Sequence, residues 1–286
     1  MALTDRRAAV LGSPVAHSLS PVLHCAAYSA LGLTGWTYQR IECDGDGLVR
    51  LVGSLGAEWA GLSVTMPGKR AALQLAAEAT DRARLVGVAN TLAPLGCGRW
   101  RADCTDIDGI SGALRAAARF RAGGHGVVVG AGGTAAAAVV ALAALGLATV
   151  SVVVRDPSKA EATVAAGRRA GVAVRVLRWQ EVHFGQLASE ADVLVNTVPP
   201  GAVAVVADAL AAAGSVLDVI YHPWPTPLAE AVLRQGKPVA TGLDMLLHQA
   251  FGQVEQFTGK PAPREAMREA LRHATGNLLE LPLADP

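Results

Sequence analysis

The stretch GVVVGAGGTAAAAVVALAALGLATVSVVVRD, residues 126–156, decides the fold class of this chain. It contains two valine-rich blocks, Val127–Val129 and Val150–Val154, and such β-branched residues favour strands. The segment between the blocks is rich in alanine, the best helix former. Glycines at 130, 132 and 133 mark the first junction, and Gly146 marks the second. The stretch therefore predicts a strand, a tight turn, a helix and a second strand.

The same stretch raises the alternative of a membrane span, because residues 126–154 carry no charge. That length exceeds the roughly 20 apolar residues that a helix needs to cross a bilayer. A single helix would not carry β-branched blocks near both ends, however, whereas buried parallel strands are apolar throughout. We therefore expect a buried parallel sheet and no membrane partner.

Strand-like and helical segments alternate along the rest of the chain. The other predicted strands are Ala8–Leu11, Trp36–Ile41, Leu62–Val64, Val88–Leu92, Trp100–Ala102, Val172–Val176, Val193–Val195 and Val216–Val219. Helices are expected from about residue 22, over 48–55 and 68–77, and from about residue 106. This alternation is typical of an α/β fold with a doubly wound parallel sheet.

The chain, at 286 residues, is long enough for two domains with their own cores. Past residue 242 the apolar residues recur at helical spacing, but two helices are too few for a third domain. We expect a discontinuous α/β substrate domain of residues 1–106 plus 242–286. A Rossmann-like dinucleotide-binding domain would occupy residues 107–241.

Composition excludes several classes of partner. The 25 basic and 24 acidic residues give a net charge of +1, which argues against nucleic acid or an anionic membrane surface. The four cysteines have no C-x-x-C spacing, and we interpret His17, His24 and His248 as bystanders rather than metal ligands. No signal peptide is evident, so we expect a cytoplasmic protein. We also expect no bound metal, and a monomer or a homodimer as the assembly.

The glycine-rich junction predicts a dinucleotide site. Residues 130–135, GAGGTA, match G-x-G-x-x-A between a strand and a helix, where the helix N-terminus binds pyrophosphate. Gly130, Ala131, Gly132, Gly133 and Thr134 are therefore candidate cofactor residues.

The end of the second strand selects between the two nicotinamide dinucleotides. Arg155 comes first and favours the 2′-phosphate of NADP, and Asp156 before Pro157 is expected to cap a helix. The alternative is that Asp156 contacts the ribose of NAD.

A second group of polar residues follows the strands of the first third. Lys69 ends the run GLSVTMPGK, residues 61–69, and only four of the 25 basic residues are lysine. Unlike arginine, lysine can lose its proton, so an amine placed at a strand end can take part in proton transfer. Asp106, which follows Thr105, supplies a carboxylate of the same kind.

Six motifs in this order resemble the shikimate dehydrogenase family over nearly the whole chain. They are GSPVAHSLSP at 12–21, SVTMPGK at 63–69, GVANT at 87–91, TD at 105–106, YHPWPTPL at 221–228 and GLDMLLHQ at 242–249. The resemblance implies NADPH-dependent, reversible reduction of 3-dehydroshikimate to shikimate in aromatic amino-acid biosynthesis. It implies Lys69 and Asp106 as catalytic residues. It implies substrate contacts from Ser18, Ser20, Thr65, Asn90, Thr105, Tyr221 and Gln249. We add Thr197 and Gly242 to the cofactor residues.

One position departs from the family, and several residues have simpler explanations. Position 63 is commonly asparagine in the family and is Ser63 here, so the choice between shikimate, quinate and aminoshikimate stays open. Ser18, Ser20 and Asp106 could cap helices, Asn90 could close a turn, and Tyr221 could pack under its proline-rich loop. A non-catalytic metabolite-binding regulator of the same fold is the alternative from another class of protein.

Overall fold

Short buried strands and helices alternate along the chain, as its sequence pattern predicts. The computed structural model describes residues 5–284, so residues 1–4 and 285–286 of the predicted first domain lie outside the described residues. The chain forms two compact units, which divide after Thr105 and after His248. Residues 282–284 group with the second unit. The sequence placed these divisions after Asp106 and Thr241; the structure has the later one inside a long helix.

The first unit contains a mixed sheet. Numbered in chain order, its strands are β1 Arg6–Gly12, β2 Trp36–Glu42, β3 Trp59–Val64, β4 Glu78–Ala79, β5 Thr91–Gly96 and β6 Arg99–Asp103. They are arranged in the order β2-β1-β3-β5-β6-β4. The strands β2, β1 and β3 are parallel, whereas β5 runs antiparallel to both of its neighbours. The strands predicted over Val88–Leu92 and Trp100–Ala102 therefore correspond to β5 and β6, which form an antiparallel hairpin.

Helices flank this sheet. They are α1 Ser20–Ala30, α2 Gly45–Gly53, α3 Lys69–Leu75 and α4 Asp81–Val86, joined later in the chain by α13 Arg264–Ala274. The helix α13 packs against α1. Side-chain caps explain where two of them begin, because Asp44 accepts from Gly47 N at 2.7 Å and Thr80 accepts from Ala83 N at 3.3 Å.

The second unit contains a parallel sheet. Its strands are β7 His125–Val129, β8 Thr149–Val154, β9 Ala173–Arg178, β10 Val193–Asn196, β11 Ser215–Asp218 and β12 Val239–Thr241. The order β12-β11-β10-β7-β8-β9 is the doubly wound Rossmann arrangement. In this arrangement the strand order reverses between β7 and β10, and ligands bind where the carboxyl ends of those two strands meet.

Helices connect the strands of the second unit. They are α5 Asp106–Ala116, α6 Gly133–Ala144, α7 Glu161–Arg169, α8 Phe184–Ser189, α9 Pro200–Val203, α10 Ala207–Leu210 and α11 Pro227–Arg234. The long helix α12, Gly242–Thr258, begins in this unit and ends in the first. Short 3-10 turns occupy Pro157–Ala160, Trp179–Glu181 and Ala204–Val206.

The charge-free stretch forms β7, α6 and β8, so the predicted strand, turn, helix and strand are confirmed. Its valines pack in the core of the second unit, and the alanines of α6 let this helix pack closely against α5 and α7. Within residues 5–284, no helix is long and apolar enough to span a bilayer.

The structure corrects the prediction in the connections. The segment predicted as a strand from Val88 becomes one only at Thr91, because Gly87 (φ 84°) ends α4 and the following residues turn back towards α3 and β6. The helix α4 and the two- and three-residue strands β4 and β12 were not predicted. These elements are too short to show a hydrophobic period.

Candidate active site

The serine-containing loop and the lysine-containing loop of the first unit lie side by side. Ser13 N donates to Met66 O at 3.0 Å, and Thr65 N donates to Leu11 O at 2.8 Å. Gly12 allows this approach, since a Cβ at this position would lie 2.2 Å from Cγ2 of Thr65. The two loops are therefore held together by backbone contacts.

The two candidate serines lie at the start of α1. Ser18 Oγ donates to Ser20 Oγ at 3.2 Å, and Ser20 N donates to Ser18 Oγ at 3.3 Å. The N-cap residue of α1 is Leu19, whose apolar side chain cannot cap a helix. Ser18 takes part of that role through the Ser20 amide, and both hydroxyls lie next to each other at one helix end.

Lys69 is the first residue of α3, and its side chain is half-buried. Gly68 N donates to Thr65 O at 3.0 Å, which forms the turn between β3 and α3. A cation in the first turn opposes the helix dipole, so helix stability does not account for a lysine at this position.

Three candidate substrate residues meet in one hydrogen-bonded cluster of the first unit. Asn90 Nδ2 donates to Thr105 Oγ1 at 3.0 Å and to Gln249 Oε1 at 2.9 Å. Asn90 Oδ1 accepts from Thr105 N at 2.8 Å and from Thr91 Oγ1 at 2.8 Å. Asn90 is 2% exposed, so its side chain does more than close a surface turn. The cluster joins the residue before β5, the end of β6 and helix α12.

Asp106 follows directly on Thr105 and is the first residue of α5. It is 1% exposed. The first turn of a helix favours a carboxylate, because the unpaired backbone N–H groups there carry positive charge. The position therefore stabilises α5 and places Asp106 one residue after Thr105 of the Asn90 cluster.

The sequence reasoning missed a polar layer under this cluster. Tyr38, Ser63 and Gln253 are buried and joined by hydrogen bonds. Gln253 lies four residues after Gln249 on α12, so a search for polar residues at i and i+4 would have found it.

The glycine-rich turn lies at the carboxyl end of β7 in the second unit. Gly130 has φ 112° and donates from its backbone nitrogen to Val153 O at 2.9 Å. A Cβ at Gly130 would lie 2.4 Å from Thr197 Oγ1, so glycine is required here for both conformation and space. Thr197 Oγ1 in turn donates to Val129 O at 2.7 Å, which ties the end of β10 to β7.

The start of α6 has the form of a pyrophosphate site. Gly132 is the extended N-cap residue, and α6 begins at Gly133. The space that a Cβ at Gly132 would occupy is open, so a ligand can approach the backbone closely. The unpaired N–H groups of the first helical turn favour an anion at this point. Ala131 and Thr134 lie in the same turn and are half-buried.

The end of β8 separates the roles of Arg155 and Asp156. Asp156 accepts from Ser158 N at 3.0 Å and from Ser158 Oγ at 2.8 Å, and these hydrogen bonds lower the pKa of its carboxyl. The prediction that Asp156 caps a helix is confirmed for the 3-10 turn Pro157–Ala160. Arg155 is exposed beside this cap.

Tyr221 and Gly242 contact each other in the second unit. A Cβ at Gly242 would lie 2.1 Å from Val219 O and 2.7 Å from Cδ1 of Tyr221. Burial raises the pKa of the Tyr221 phenol. The preceding strand end is held by Asp218, which accepts from Thr226 Oγ1 at 2.6 Å.

Two of the three histidines that the sequence set aside, His24 and His248, have structural contacts. His24 stacks on Tyr38 with ring centroids 4.0 Å apart, and His248 Nε2 lies 3.2 Å from Pro282 O. Over residues 5–284, no group of three or more histidine, cysteine or acidic side chains is placed to hold a metal ion.

Two family models match the chain. The model described as the shikimate dehydrogenase substrate binding domain matches residues 10–92, and that of the shikimate 5′-dehydrogenase C-terminal domain matches residues 242–272. A curated relative, the shikimate dehydrogenase (NADP(+)) of Methylobacterium radiotolerans, is 38% identical over 274 residues. The alignment covers 92% of this chain and 95% of the relative. The chain belongs to the shikimate dehydrogenase family.

Solved structures of shikimate dehydrogenases share the fold. The enzyme of Mycobacterium tuberculosis is 55% identical with a TM-score of 0.88, covering 94% of this chain and 99% of that chain. The enzyme of Thermus thermophilus, in complex with NADP(H) and shikimate, is 31% identical with a TM-score of 0.79, covering 94% and 99%. The predicted α/β architecture, with a substrate-binding and a Rossmann-like domain, is therefore confirmed.

The shikimate dehydrogenase family models cover part of the candidate site. Ser18, Ser20, Thr65, Lys69 and Asn90 fall within residues 10–92. Two further candidates, at 242 and 249, fall within the C-terminal range. The remaining candidates lie between the two matched ranges, where the full-length relatives align with the chain.

Proposed function

We propose that this chain is an NADP-dependent shikimate dehydrogenase that reversibly reduces 3-dehydroshikimate to shikimate. The observation that carries the proposal is the buried cluster of Asn90, Thr105 and Gln249. Three separate segments of the chain form this cluster, and the chain belongs to the shikimate dehydrogenase family. A polyhydroxylated ring needs several fixed donors and acceptors, and neutral amide and hydroxyl groups supply both.

The first unit binds the substrate. Ser18 and Ser20 donate hydroxyl hydrogen bonds to the ring carboxylate, and Tyr221 stays a predicted substrate contact. Thr65 and the Asn90 cluster hold the ring hydroxyls. Each of these contacts uses a neutral group, so the substrate carboxylate is recognised through hydrogen bonds rather than through an ion pair.

The second unit binds NADP. The N–H groups at the start of α6 take the pyrophosphate, with Gly130 and Gly132 allowing close approach. Arg155 takes the 2′-phosphate, because it is exposed at the end of β8 and the neighbouring Asp156 carboxylate is engaged by Ser158. Thr197 and Gly242 line the carboxyl ends of the strands.

Lys69 and Asp106 handle the proton of the reaction. When bound, NADPH supplies the hydride that reduces the carbonyl carbon of the substrate. The carbonyl oxygen then needs a proton, which must come from a group within hydrogen-bond reach. We assign the acid–base role to Lys69 and Asp106, which supply this proton in the reduction and remove it in the oxidation.

A cytoplasmic location fits the cysteine chemistry. The four cysteines are free, and two of them are exposed, as expected in a reducing compartment. A monomer or a homodimer stays the predicted assembly.

The test is an assay of the purified chain with shikimate and NADP, followed by nicotinamide absorbance. We expect reduction of NADP with shikimate, weaker activity with NAD, and weaker activity with quinate as the control substrate. Lack of turnover with shikimate at saturating NADP would refute the proposal.

The variant Lys69→Ala tests the proton-transfer role. We expect turnover to fall at least about a hundredfold, the lower end for a lost acid–base group, with an unchanged melting temperature. Lys260→Ala is the matched control, because Lys260 is an exposed lysine of the same unit. Near-normal turnover of the Lys69 variant would show that this lysine is not the proton donor.

A further inference from the structure

A buried polar layer lies beneath the Asn90 cluster in the first unit. Tyr38 OH donates to Ser63 Oγ at 2.7 Å, and Ser63 Oγ donates to Gln253 Oε1 at 2.9 Å. Gln253 Nε2 donates to Thr91 Oγ1 at 3.2 Å. The layer therefore connects β2 and β3 to Thr91, the residue that follows Asn90.

Gln253 uses its full hydrogen-bonding capacity in this layer. Besides the bonds to Ser63 and Thr91, its Nε2 donates to Asn90 O at 3.3 Å, and its Oε1 lies 3.3 Å from His24 Nε2. A glutamine amide has two N–H donors and two acceptor lone pairs, so four partners satisfy it completely. Gln253 is 3% exposed, and its amide has one orientation that fits all four contacts.

That orientation sets the tautomer of His24. Burial lowers the pKa of His24 to about 3, so the imidazole is neutral near neutral pH. Because the oxygen of Gln253 can only accept, Nε2 of His24 carries the proton. The ring is held by stacking on Tyr38 and on Phe257, with centroids 4.0 Å and 5.5 Å apart.

The direction of these hydrogen bonds sets the side chain of Asn90. Because Thr91 Oγ1 accepts from Gln253, its own hydrogen is free to go to Asn90 Oδ1, which lies at 2.8 Å. With Oδ1 committed to Thr91 and to Thr105 N, Nδ2 is directed to Gln249. Through Thr91, Gln253 therefore supports the same orientation of the Asn90 amide that the backbone N–H of Thr105 requires.

We propose that Gln253 is a positioning residue of the shikimate site, which orients the Asn90 amide through Thr91 and directs the Ser63 hydroxyl away from the substrate. The inference rests on the proposed function in that shikimate is the ligand. Ser63, the position at which this chain departs from its family, then belongs to the buried polar layer. Gln253 itself acts through Thr91 and Asn90.

The variant Gln253→Met tests this role, because methionine has similar length and cannot form the four hydrogen bonds. We expect the KM for shikimate to rise about tenfold or more, the usual cost of removing a residue that orients a ligand-binding side chain. The KM for NADP should stay within about twofold of wild type. Gln256→Met is the matched control. Gln256 lies on the same helix and donates to Asp103 Oδ2 at 2.7 Å, so its loss also removes a hydrogen bond but leaves the Asn90 side chain bonded as before.

A second readout needs no substrate. The Thr105 amide donates to Asn90 Oδ1, so its hydrogen-exchange protection reports on the orientation of Asn90. Protection should fall in Gln253→Met and stay at the wild-type level in Gln256→Met. Thr91→Val cuts the same connection with little change in volume, and it carries the test if Gln253→Met does not fold.

The outcomes separate the two proposals. If wild-type protein does not oxidise shikimate, the proposed function fails, and the Thr105 exchange still tests the positioning of Asn90. If wild-type protein is active, an unchanged KM for shikimate and unchanged Thr105 protection in the folded variants would overturn the role of Gln253. Equal KM changes in the Gln253 and Gln256 variants would also overturn it, since they would indicate general loosening of the unit.

Discussion

Asp244 should make the stability of this protein depend on pH in a direction opposite to that of most carboxylates. Its side chain lies in the first turn of α12, where Oδ2 accepts from Thr241 N at 2.8 Å and from Thr241 Oγ1 at 2.7 Å. Burial raises the pKa of Asp244 from 3.8 to about 6, and the hydrogen bonds from Thr241 only partly oppose this effect.

The sign and size follow from proton linkage. Between pH 4 and pH 6 the folded state keeps a proton that the unfolded chain has lost, so the free energy of unfolding falls as pH rises through this range. A shift of about two pKa units, at about 1.4 kcal/mol per unit, corresponds to a loss of about 3 kcal/mol, complete above the folded pKa. Asp244→Asn keeps an acceptor oxygen for Thr241 and removes the charge.

Urea unfolding of wild type and Asp244→Asn across this pH range measures the effect. The variant should match wild type at the acidic end and become more stable by up to about 3 kcal/mol near neutral pH. Other titrating groups cancel in the difference between the two proteins. A difference that does not change with pH would show that Asp244 is ionised in the folded protein and that burial does not control its pKa.

Three further predictions follow from single residues. Arg155→Ala should weaken NADP binding by about 1.5–3 kcal/mol, the scale of hydrogen bonds to charged groups, and leave NAD binding unchanged; equal losses in calorimetry would reject its 2′-phosphate contact. Asp103→Ala removes the buried carboxylate that accepts hydrogen bonds from Arg82, Thr80 and Gln256. The free energy of unfolding in urea should therefore fall by about 3 kcal/mol, whereas the control variant Asp81→Ala, at an exposed ion pair, should lower it by less than about 1 kcal/mol. Gly130→Ala should destabilise the protein by about 2–5 kcal/mol, because the new Cβ strains the backbone and overlaps Thr197. Gly132→Ala should fold normally and lose NADP affinity. Equal stability of the two variants in urea unfolding would contradict the geometry of the turn.

The second unit could be predicted in detail because its sequence pattern is local. Valine blocks, an alanine-rich helix and glycines at fixed spacing occur within residues 126–156, and each favours its element without help from distant residues. The capping role of Asp156 is local in the same sense, since its partner is Ser158. The short strand β12 escaped prediction because three residues show no period and pair only once β11 is in place.

The candidate site was predictable as far as its motifs are contiguous. Asn90, Thr105 and Gln249 were each named from a separate motif, and the structure places both Thr105 and Gln249 within hydrogen-bond distance of Asn90. That Gln249 meets Asn90, 159 positions away in the chain, depends on the return of α12 to the first unit. No local pattern contains that information.

The sequence by itself determined the order of strands and helices, the glycine-rich turn and the residue types available for chemistry. These features depend on side chains a few positions apart, whose preferences act before the chain is compact. The tertiary structure alone decided which polar groups have hydrogen-bond partners and which residues those partners are. Gln253, an ordinary polar residue on a helix, becomes the centre of four hydrogen bonds because residues from α1, β3 and the turn before β5 surround it. Asp244 is poised to keep its proton because the fold buries it. Burial and long-range hydrogen bonds are properties of the packed chain, and they exist only when segments distant in sequence have come together.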